Sequence, residues 1–320
     1  MGQFTIGIDI GGTKIQTAAL NGEEVVGSAR TMTPEGGPTV LAVAVAEAVD
    51  AALEEAGASR DQVTAAGVGI PGSVHGENGT VANSPNLKGF EGAEPVAFAS
   101  MLADATGIRD VWLANDVRVA ILGEWKRGAG RPYGNLLGVW IGTGVGGGLV
   151  LAGELYEGTG PAGEIGHTIV KPGGRVCSDG RLGHLEAYAG RARMEVQARH
   201  LVDTGHPTIL FELMQKKGRT RLSSGVIATA IEKGDEVARQ LIDEAVWALG
   251  IALASVQNLL ALEAIVIGGG LGDPLGEPFV ERIEAEMQPL LFVPGAAPRM
   301  LTTHFGDLSG AVGAAVLAGA

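Results

Sequence analysis

The sequence is poor in cysteine and in basic residues, and each shortage excludes a class of protein. Cys177 is the only cysteine among 320 residues, so no disulfide can form within the chain, which is typical of a reducing compartment. There are 23 Lys and Arg residues against 36 Asp and Glu residues, giving a formal net charge of −13. Because nucleic acids and anionic membranes are themselves negative, neither is expected as a main partner.

Export and membrane signals are also lacking. Met1 leads almost directly into FTIGIDI, without the basic region or cleavage site of a signal peptide. One apolar run, residues 245–262, is about long enough to cross a bilayer. It contains Gln257 and Asn258 and is followed at once by the strand-like EAIVIGGG. We therefore interpret it as a buried core helix and expect the protein in the cytoplasm.

Hydrophobic residues make up 46% of the chain and occur in short strand-like runs that alternate with helical segments. Such alternation predicts an α/β architecture. Residues 6–20 (IGIDIGGTKIQTAAL) and 138–152 (GVWIGTGVGGGLVLA) share one plan, an apolar strand, a glycine-rich turn and a second apolar strand. This repeat indicates a duplicated fold, and the chain length allows two domains.

The first glycine turn, GIDIGGTK at 7–14, comes near the P-loop pattern, but its threonine and lysine stand in reverse order. A P-loop must also open a helix, whereas KIQTAAL reads as a returning strand. We therefore predict the tip of a β-hairpin, whose backbone N–H groups could bind phosphate beside a hydrated Mg²⁺. A plain glycine hairpin is the alternative. The candidate phosphate-site residues are Asp9, with its carboxylate towards Mg²⁺, and Gly11, Gly12, Thr13 and Lys14.

Two further glycine turns lie in the second half of the chain. GTGVGG at 142–147 formally matches the dinucleotide fingerprint, but a strand, LVLAG, follows where a Rossmann fold requires a helix. A second phosphate-holding hairpin fits this sequence better. VIGGGLG at 266–272 also ends a strand in glycines, which lets a base or ribose approach the backbone, although a tight strand-to-helix turn is the alternative. The nucleotide-contact candidates are Gly142, Thr143, Gly144, Gly146, Gly269 and Gly270.

Six motifs follow one another along the chain in a recognisable order. They are DIGGTK near the N-terminus, ANDVRVAILGE at 114–124, GTGVGGG at 142–148, AGEIGH at 162–167, GHLE at 183–186 and IVIGGG at 265–270. In this order the chain resembles the ROK family of sugar kinases and sugar-responsive repressors over nearly its whole length, and is most similar to the family's bacterial glucokinases. The repressors carry a helix-turn-helix domain before the first motif. Eight residues precede Asp9 here, so an enzyme is expected.

The resemblance implies an actin-like ATPase fold, a duplicated ribonuclease H-like α/β architecture in two lobes. The smaller lobe is expected to comprise residues 1–116 with 305–320. The larger is expected to comprise residues 117–304, through which the family forms homodimers. The implied reaction is transfer of a phosphoryl group from ATP, with Mg²⁺, to the 6-hydroxyl of a hexose in a cleft that closes to exclude water. Glucose is the first expected sugar. Mannose, fructose or N-acetylmannosamine stay open as sugars and polyphosphate as the donor, as does a non-catalytic sugar-binding protein.

The resemblance also assigns roles to single residues. Asp116 matches the family's catalytic aspartate, which accepts the proton of the attacking hydroxyl; its alternative role is to cap the helix VRVAILGEW. A pyranose offers several hydroxyls, which amide, carboxylate and imidazole groups bind directionally. The sugar-binding candidates are Asn115, Asp116, Glu164, His167 and Glu186, with Asn86 at the rim of the same site or as a simple turn residue.

The stretch CSDGRLGHLE at 177–186 is similar to the family's zinc knuckle, which reads roughly C-x-C-G-x-x-G-C-x-E with a histidine from G-E-x-G-H as fourth ligand. Asp179 and His184 stand where the second and third cysteines would be, while Cys177 and His167 are kept. We favour a retained mixed zinc site, because each of these side chains can bind Zn²⁺ in a tetrahedral shell. The alternative is a metal-free loop in which the polar side chains hydrogen-bond one another.

Overall fold

The computed structural model describes residues 3–160 and 162–319, so the outermost ends of the predicted lobes, residues 1–2 and 320, lie outside the described residues. The strands are β1 (Phe4–Ile10), β2 (Lys14–Asn21), β3 (Glu24–Met32), β4 (Val63–Ile70), β5 (Ser73–His75), β6 (Thr80–Ala82), β7 (Val111–Asn115), β8 (Leu136–Ile141), β9 (Val145–Leu151), β10 (Glu154–Tyr156), β11 (Ala264–Gly268) and β12 (Arg299–Thr302). The helices are α1 (Pro38–Glu55), α2 (Phe98–Thr106), α3 (Asp116–Arg127), α4 (Glu186–Ala189), α5 (Arg191–Asp203), α6 (Leu210–Lys216), α7 (Ser224–Glu232), α8 (Glu236–Leu260), α9 (Gly269–Met287) and α10 (Ser309–Leu317).

Two five-stranded sheets repeat one topology. The first has the order β3-β2-β1-β4-β7 and the second the order β10-β9-β8-β11-β12. In each, three strands form an antiparallel meander and two more are added in parallel beside the meander's first strand. The glycine turns at 11–13 and 142–144 lie at equivalent positions, each joining the first two strands of its meander. The predicted duplication of an α/β unit is therefore confirmed.

The chain divides by internal packing into two units. Unit 1 runs to Pro132 and takes in the chain again from His304, and unit 2 is Tyr133–Thr303. The change-over thus falls later than the residue 116 expected from the sequence, because α3 packs against α10 and so belongs to unit 1. The two helices touch through glycine, since an added Cβ on Gly313 would overlap the carbonyl of Val119.

In unit 1, α10 lies directly on the backbone of β1 and β4. An added Cβ on Gly7 would overlap the carbonyl oxygen of Ala311, and one on Gly67 would overlap the carbonyl oxygen of Ala314. Both strands are buried on this face, and a sheet can approach a helix this closely only where side chains are missing. This packing holds the carboxyl ends of β1 and β4, where candidate site residues lie, against the start of α10.

In unit 2, α8 forms the centre of the core, and the interpretation of its apolar run as a core helix is confirmed. Its polar Gln257 is buried and hydrogen-bonded: Nε2 donates to the carbonyl of Ala296 (2.9 Å), and Oε1 accepts from the N–H of Leu262 (3.0 Å). These bonds satisfy the amide inside the core and fix the end of the helix. Across the described residues, none of the helices has both the length and the apolar character that a bilayer crossing requires.

Glu124, on α3, is a fully buried carboxylate of unit 1. Its oxygens accept hydrogen bonds from the N–H groups of Ala129 (3.0 Å), His304 (2.9 Å) and Phe305 (3.0 Å) and from the hydroxyl of Ser309 (2.6 Å). Ala129 lies where the chain leaves unit 1, and His304 and Phe305 lie where it returns. One carboxylate therefore fixes both crossing segments to α3.

We predict that Glu124→Gln lowers the free energy of unfolding by about 3 kcal/mol, because the amide NH₂ would face hydrogen-bond donors that now meet an oxygen. Urea unfolding followed by circular dichroism measures the change. Glu54→Gln, at an exposed position of α1, is the matched control and should stay within about 0.5 kcal/mol of the parent. Equal stability of the two variants would show that the carboxylate does not hold these segments.

Candidate functional site

The junction of β7 and α3 carries two candidate residues. The N-cap of α3 is Asn115, not Asp116: the Asn115 Oδ1 atom accepts from the N–H groups of Val117 (3.0 Å) and Arg118 (3.4 Å). This capping leaves the Asn115 amide nitrogen as the group that can donate to a ligand. Asp116 follows as the first residue of the helix, at the carboxyl end of a parallel strand, where α/β proteins build their sites.

Asp9, at the end of β1, lies near Asp116. An added Cβ on Gly69 of β4 would be 3.6 Å from the Asp9 Oδ1 atom and 3.4 Å from the Asp116 Cα atom, so the two acidic residues flank this glycine. Burial, and then the neighbouring charges of Asp116 and Asp307, raise the pKa of Asp9 from 3.8 to about 7, against the opposing effect of Lys14. Two carboxyl groups held close together in a partly buried place favour either a proton or a cation.

The hairpin between β1 and β2 carries the first predicted phosphate turn. The N–H of Gly11 donates to the carbonyl of Lys14 (2.9 Å) and closes the hairpin. The predicted anion-binding amides therefore narrow to those of Gly12 and Thr13, at the exposed tip. Gly12 lies against Asn86, since an added Cβ would be 3.1 Å from the Asn86 Cβ. The structure thus brings this turn beside the residue predicted at the sugar rim.

Lys14, the last residue of that turn, is already paired. Its Nζ atom lies 2.7 Å from the Asp307 Oδ1 atom, and Asp307 stands just before α10. The pair is partly exposed, so its contribution to stability is small. The pair places one positive charge, that of Lys14, and one negative charge, that of Asp307, near Asp9.

The glycines of the β8–β9 hairpin mostly serve packing. An added Cβ on Gly144 would overlap the carboxylate of Glu186, and one on Gly147 would lie 2.6 Å from the carbonyl oxygen of Gly163. Gly144 is a predicted phosphate contact. Its lack of a side chain also makes room for the carboxylate of Glu186, a predicted sugar ligand. Gly146 lies in β9 itself. The glycine-rich strand lets the loop that precedes Glu164 and His167 come close to the sheet.

Glu186, the first residue of α4, is buried and hydrogen-bonded through both carboxylate oxygens. One carboxylate oxygen accepts the N–H of Val145 (2.9 Å), and the other accepts the hydroxyl of Ser178 and faces the Cys177 sulfur at 3.5 Å. These contacts join the hairpin, the knuckle and α4 at one side chain. Burial, and then the charge of Glu186, raise the pKa of the Cys177 thiol.

The two remaining sugar candidates of unit 2 lie on one short turn. A single 3-10 turn spans Ile165–His167, and the N–H of His167 donates to the carbonyl of Glu164 (3.1 Å). Glu164 is exposed and His167 is partly buried. This single turn therefore carries the carboxylate of Glu164 at its start and the imidazole of His167 at its end.

The four predicted zinc ligands come together. One donor atom from each of His167, Cys177, Asp179 and His184 lies within 4.8 Å of the others. The Nδ1 atoms of the two histidines are 3.4 Å apart, and they lie 3.3 Å (His167) and 3.4 Å (His184) from the Asp179 Oδ2 atom. The edges of a tetrahedral zinc shell, with bonds of about 2.0–2.2 Å, are about 3.3–3.6 Å long. These distances are those of ligands around a common ion and exceed ordinary hydrogen-bond lengths.

Asp179 also has a partner outside the cluster. It accepts from the N–H (3.0 Å) and from the guanidinium (3.1 Å) of Arg181. The Arg181 N–H, together with the nearby imidazoles, holds the pKa of Asp179 below its usual value. An ionised carboxylate fits either a metal site or the metal-free alternative, in which Arg181 is the main partner.

The third glycine turn begins α9. Gly269 has a left-handed φ of 86° and no room for a side chain beside the backbone of Ile141, while Gly270 faces the guanidinium of Arg191. Arg191 also contacts Gly142. The structure thus joins the two turns predicted to hold the nucleotide through a residue that the sequence analysis did not identify.

The chain resembles known proteins over nearly its whole length. The model of the ROK family matches residues 5–320. The chain is 32% identical to the glucokinase of Halalkalibacterium halodurans over 97% of this chain and 93% of that protein. It is 28% identical to an N-acetylmannosamine kinase of Haemophilus influenzae over 97% of this chain and 93% of that protein.

A solved structure extends the comparison to the fold. The ROK family glucokinase from Streptomyces griseus, in complex with glucose and AMPPNP, is 29% identical, with a TM-score of 0.81 over 98% of both chains. The chain therefore belongs to the ROK family, and the predicted actin-like, ribonuclease H-like duplicated α/β fold is confirmed.

We predict that Asp9→Asn stabilises the metal-free protein increasingly between pH 4 and 7. Below pH 3.8 the carboxyl is protonated in both states; above it the unfolded chain loses the proton that the fold retains up to about pH 7. The favourable contribution of Asp9 is therefore lost as pH rises through this range, by up to about 1.4 kcal/mol per pH unit. Urea unfolding in EDTA measures it.

Asp104→Asn, at an exposed position of α2, is the matched control for this titration. Its stability relative to the parent should show no such drift. A constant difference between Asp9→Asn and the parent from pH 4 to 7 would contradict the raised pKa of Asp9.

Proposed function

We propose that this ROK-family chain is a hexose kinase that transfers a phosphoryl group from ATP to D-glucose, giving glucose 6-phosphate and ADP. The observation that carries the proposal is the position of Asp116 beside Asp9, at the carboxyl ends of β7 and β1. Like charges held close together in a partly buried place suit a base that works near a cation. The glucose and AMPPNP named with the Streptomyces griseus relative support the choice of substrates.

Asp116 acts as the general base. Its carboxylate accepts the proton of the sugar 6-hydroxyl as that oxygen forms a bond to the γ-phosphorus, and the bond to the β-phosphate oxygen breaks, leaving ADP. A carboxylate needs no large pKa shift to be ionised at neutral pH. The amides of Gly12 and Thr13 and the turn at 142–144 supply the donors for the phosphates.

Asp9 is the residue proposed to orient hydrated Mg²⁺. Its oxygen ligand is of the type that Mg²⁺ prefers, and its pKa is raised by burial and then by the neighbouring charge of Asp116, which a cation would offset. When bound with ATP, Mg²⁺ offsets charge on the phosphates. The protein's own contribution is to hold this carboxylate near Asp116, at the ends of two parallel strands, β1 and β7, that flank β4.

The sugar is proposed to bind to six polar side chains. Because the Asn115 Oδ1 atom caps α3, its amide nitrogen can donate to a sugar hydroxyl. The exposed Glu164 carboxylate can accept from one. The Glu186 oxygen that accepts the N–H of Val145 has a second lone pair for a sugar hydroxyl. The proposed sugar ligands are Asn86, Asn115, Asp116, Glu164, His167 and Glu186.

We further propose that the knuckle holds a structural Zn²⁺ between His167, Cys177, Asp179 and His184. The inter-ligand distances support this set. Binding through Nδ1 would fix the His167 ring and leave its Nε2 atom for a sugar hydroxyl. One thiolate, one carboxylate and two imidazoles form a harder set than three thiolates and one imidazole, so affinity for zinc should be lower.

The named relatives support one other sugar. The N-acetylmannosamine kinase relative keeps that sugar open, and mannose, fructose and polyphosphate as donor remain alternatives within the same chemistry. The setting we propose is a cytoplasmic homodimer that feeds glycolysis. The single cysteine, which fits a reducing compartment, supports the cytoplasmic part of that setting.

We predict that the purified protein phosphorylates glucose with ATP and Mg²⁺, and that Asp116→Asn lowers kcat by at least about a thousandfold. The amide cannot accept the proton, while its shape still allows the sugar to bind. A coupled assay over glucose, mannose, fructose and N-acetylmannosamine, each with ATP and with polyphosphate, measures turnover. Calorimetry measures glucose affinity.

Asp110→Asn, at an exposed position just before β7, is the control and should keep parental turnover. Absence of turnover with every sugar and donor would overturn the kinase proposal. Normal turnover by Asp116→Asn would remove this residue as the base.

We predict about one zinc per chain by elemental analysis of protein purified without chelator. His184→Ala and Asp179→Ala should lower this content severalfold, because each removes one of four ligands. Arg181→Ala is the matched control, because Arg181 binds Asp179 but is not one of the four proposed zinc ligands. It should leave the zinc content unchanged, whereas in a metal-free loop it would remove the main partner of Asp179. Less than about 0.2 metal per chain in the parent protein would favour the metal-free loop.

A further inference from the structure

The tip of the β8–β9 hairpin is docked on the first turn of α5. The carbonyl of Gly142 accepts the backbone N–H of Arg191 (3.1 Å), and the carbonyl of Thr143 accepts that of Ala192 (3.0 Å). The Nε–H of the Arg191 side chain donates to the same Gly142 carbonyl (3.1 Å). The hairpin thus satisfies N–H groups that an α-helix leaves without partners at its start.

Fixing these two carbonyls also fixes the direction of two N–H groups. In a trans peptide the C=O and the following N–H lie in one plane and point in opposite directions. With the Gly142 and Thr143 carbonyls turned towards α5, the N–H groups of Thr143 and Gly144 are turned away from it. Successive N–H groups held on one side of a turn form a binding place for an anion.

Arg191 reaches a second turn through its guanidinium. Its Nη1 atom donates to the Ser224 hydroxyl (3.2 Å), and that hydroxyl donates to the carbonyl of Gly270. An added Cβ on Gly270 would be 3.4–3.5 Å from three atoms of the guanidinium, so the glycine faces the flat side of this group. Ser224 is buried, and the link therefore lies inside unit 2 rather than on its surface.

We infer that Arg191 is a positioning residue for the donor nucleotide, aligning the phosphate-binding amides at 143–144 with the glycine turn at 269–270. The inference rests on the proposed kinase function and adds two residues, Arg191 and Ser224, to the donor site. Arg191 acts through the turns that it holds. Only arginine has the Nε–H and Nη–H donors, fixed in one plane, that reach two acceptors at once.

The test is steady-state kinetics of Arg191→Lys in the full chain. Lysine keeps the positive charge but cannot bind the Gly142 carbonyl and the Ser224 hydroxyl together, so KM for ATP should rise at least about tenfold. KM for glucose should stay within about twofold of the parent value. The hydrogen bonds described for the Arg191 side chain go to Gly142 and Ser224, and neither is a proposed sugar ligand. Ser224→Ala should raise KM for ATP in the same direction by a smaller factor.

The matched control is Arg199→Lys on the same helix. Its guanidinium is exposed. Among the described residues it donates to Glu195, one turn away on the same helix, and stacks on the ring of Phe211. This variant should leave KM for ATP unchanged. An equal rise in both Michaelis constants for Arg191→Lys, or none in that for ATP, would overturn the inference.

Two further measurements keep the inference testable. If Arg191→Lys fails to fold by circular dichroism, Ser224→Ala decides, and an unchanged KM for ATP in that variant contradicts the inference. If the parent protein transfers no phosphoryl group from ATP, the proposal of ATP as the donor fails by itself. Calorimetry of ADP binding to the parent protein and Arg191→Lys then tests the positioning role directly, with equal affinities contradicting it.

Discussion

Close contact of backbone on backbone, made possible by missing side chains, is the constraint on which both units depend. In unit 1 it seats α10 on β1 and β4 at Gly7 and Gly67. In unit 2 it seats the loop at Gly163 on Gly147, and a missing side chain at Gly144 makes room for the carboxylate of Glu186. Each contact lies next to a candidate site residue. The glycine-rich composition of the chain thus fixes where the polar side chains of the site stand, besides leaving room for phosphate.

Two carboxylates of unit 1 illustrate how the surroundings separate structure from chemistry. Glu124 is surrounded by hydrogen-bond donors, and its charge is used to hold the crossing segments of the chain. Asp9 instead has acidic neighbours, and its pKa rises to about 7. A carboxylate that the fold leaves uncompensated stores electrostatic free energy, and a cation can release that energy on binding. The contrast supports a functional role for Asp9 and a structural one for Glu124.

Sequence reasoning predicted the features that depend on local pattern. The strands β1, β2, β8 and β9 and the glycine hairpins that join them follow from apolar runs and turn residues close together in sequence. What it missed depends on contacts between distant residues. The partner of Gly144 is Glu186, and the link from Gly142 to Gly270 passes through Arg191. The segment α9 is likewise divided by a residue whose conformation depends on its surroundings: Gly276, with φ of 57° and ψ of −152°, separates two helical stretches.

The knuckle and the donor hairpin are mechanically connected, and this gives the departure from the family's cysteines a wider consequence. Glu186 binds Val145 of the hairpin and Ser178 of the knuckle with separate oxygens. A change in the knuckle would therefore move a carboxylate that also supports the phosphate turn. Asp179 and His184, where the family has cysteines, keep groups that can surround an ion, and Asp179 directly follows Ser178, a partner of Glu186. The constraint on this loop is thus the position of Glu186, and a bound metal is one way to satisfy it.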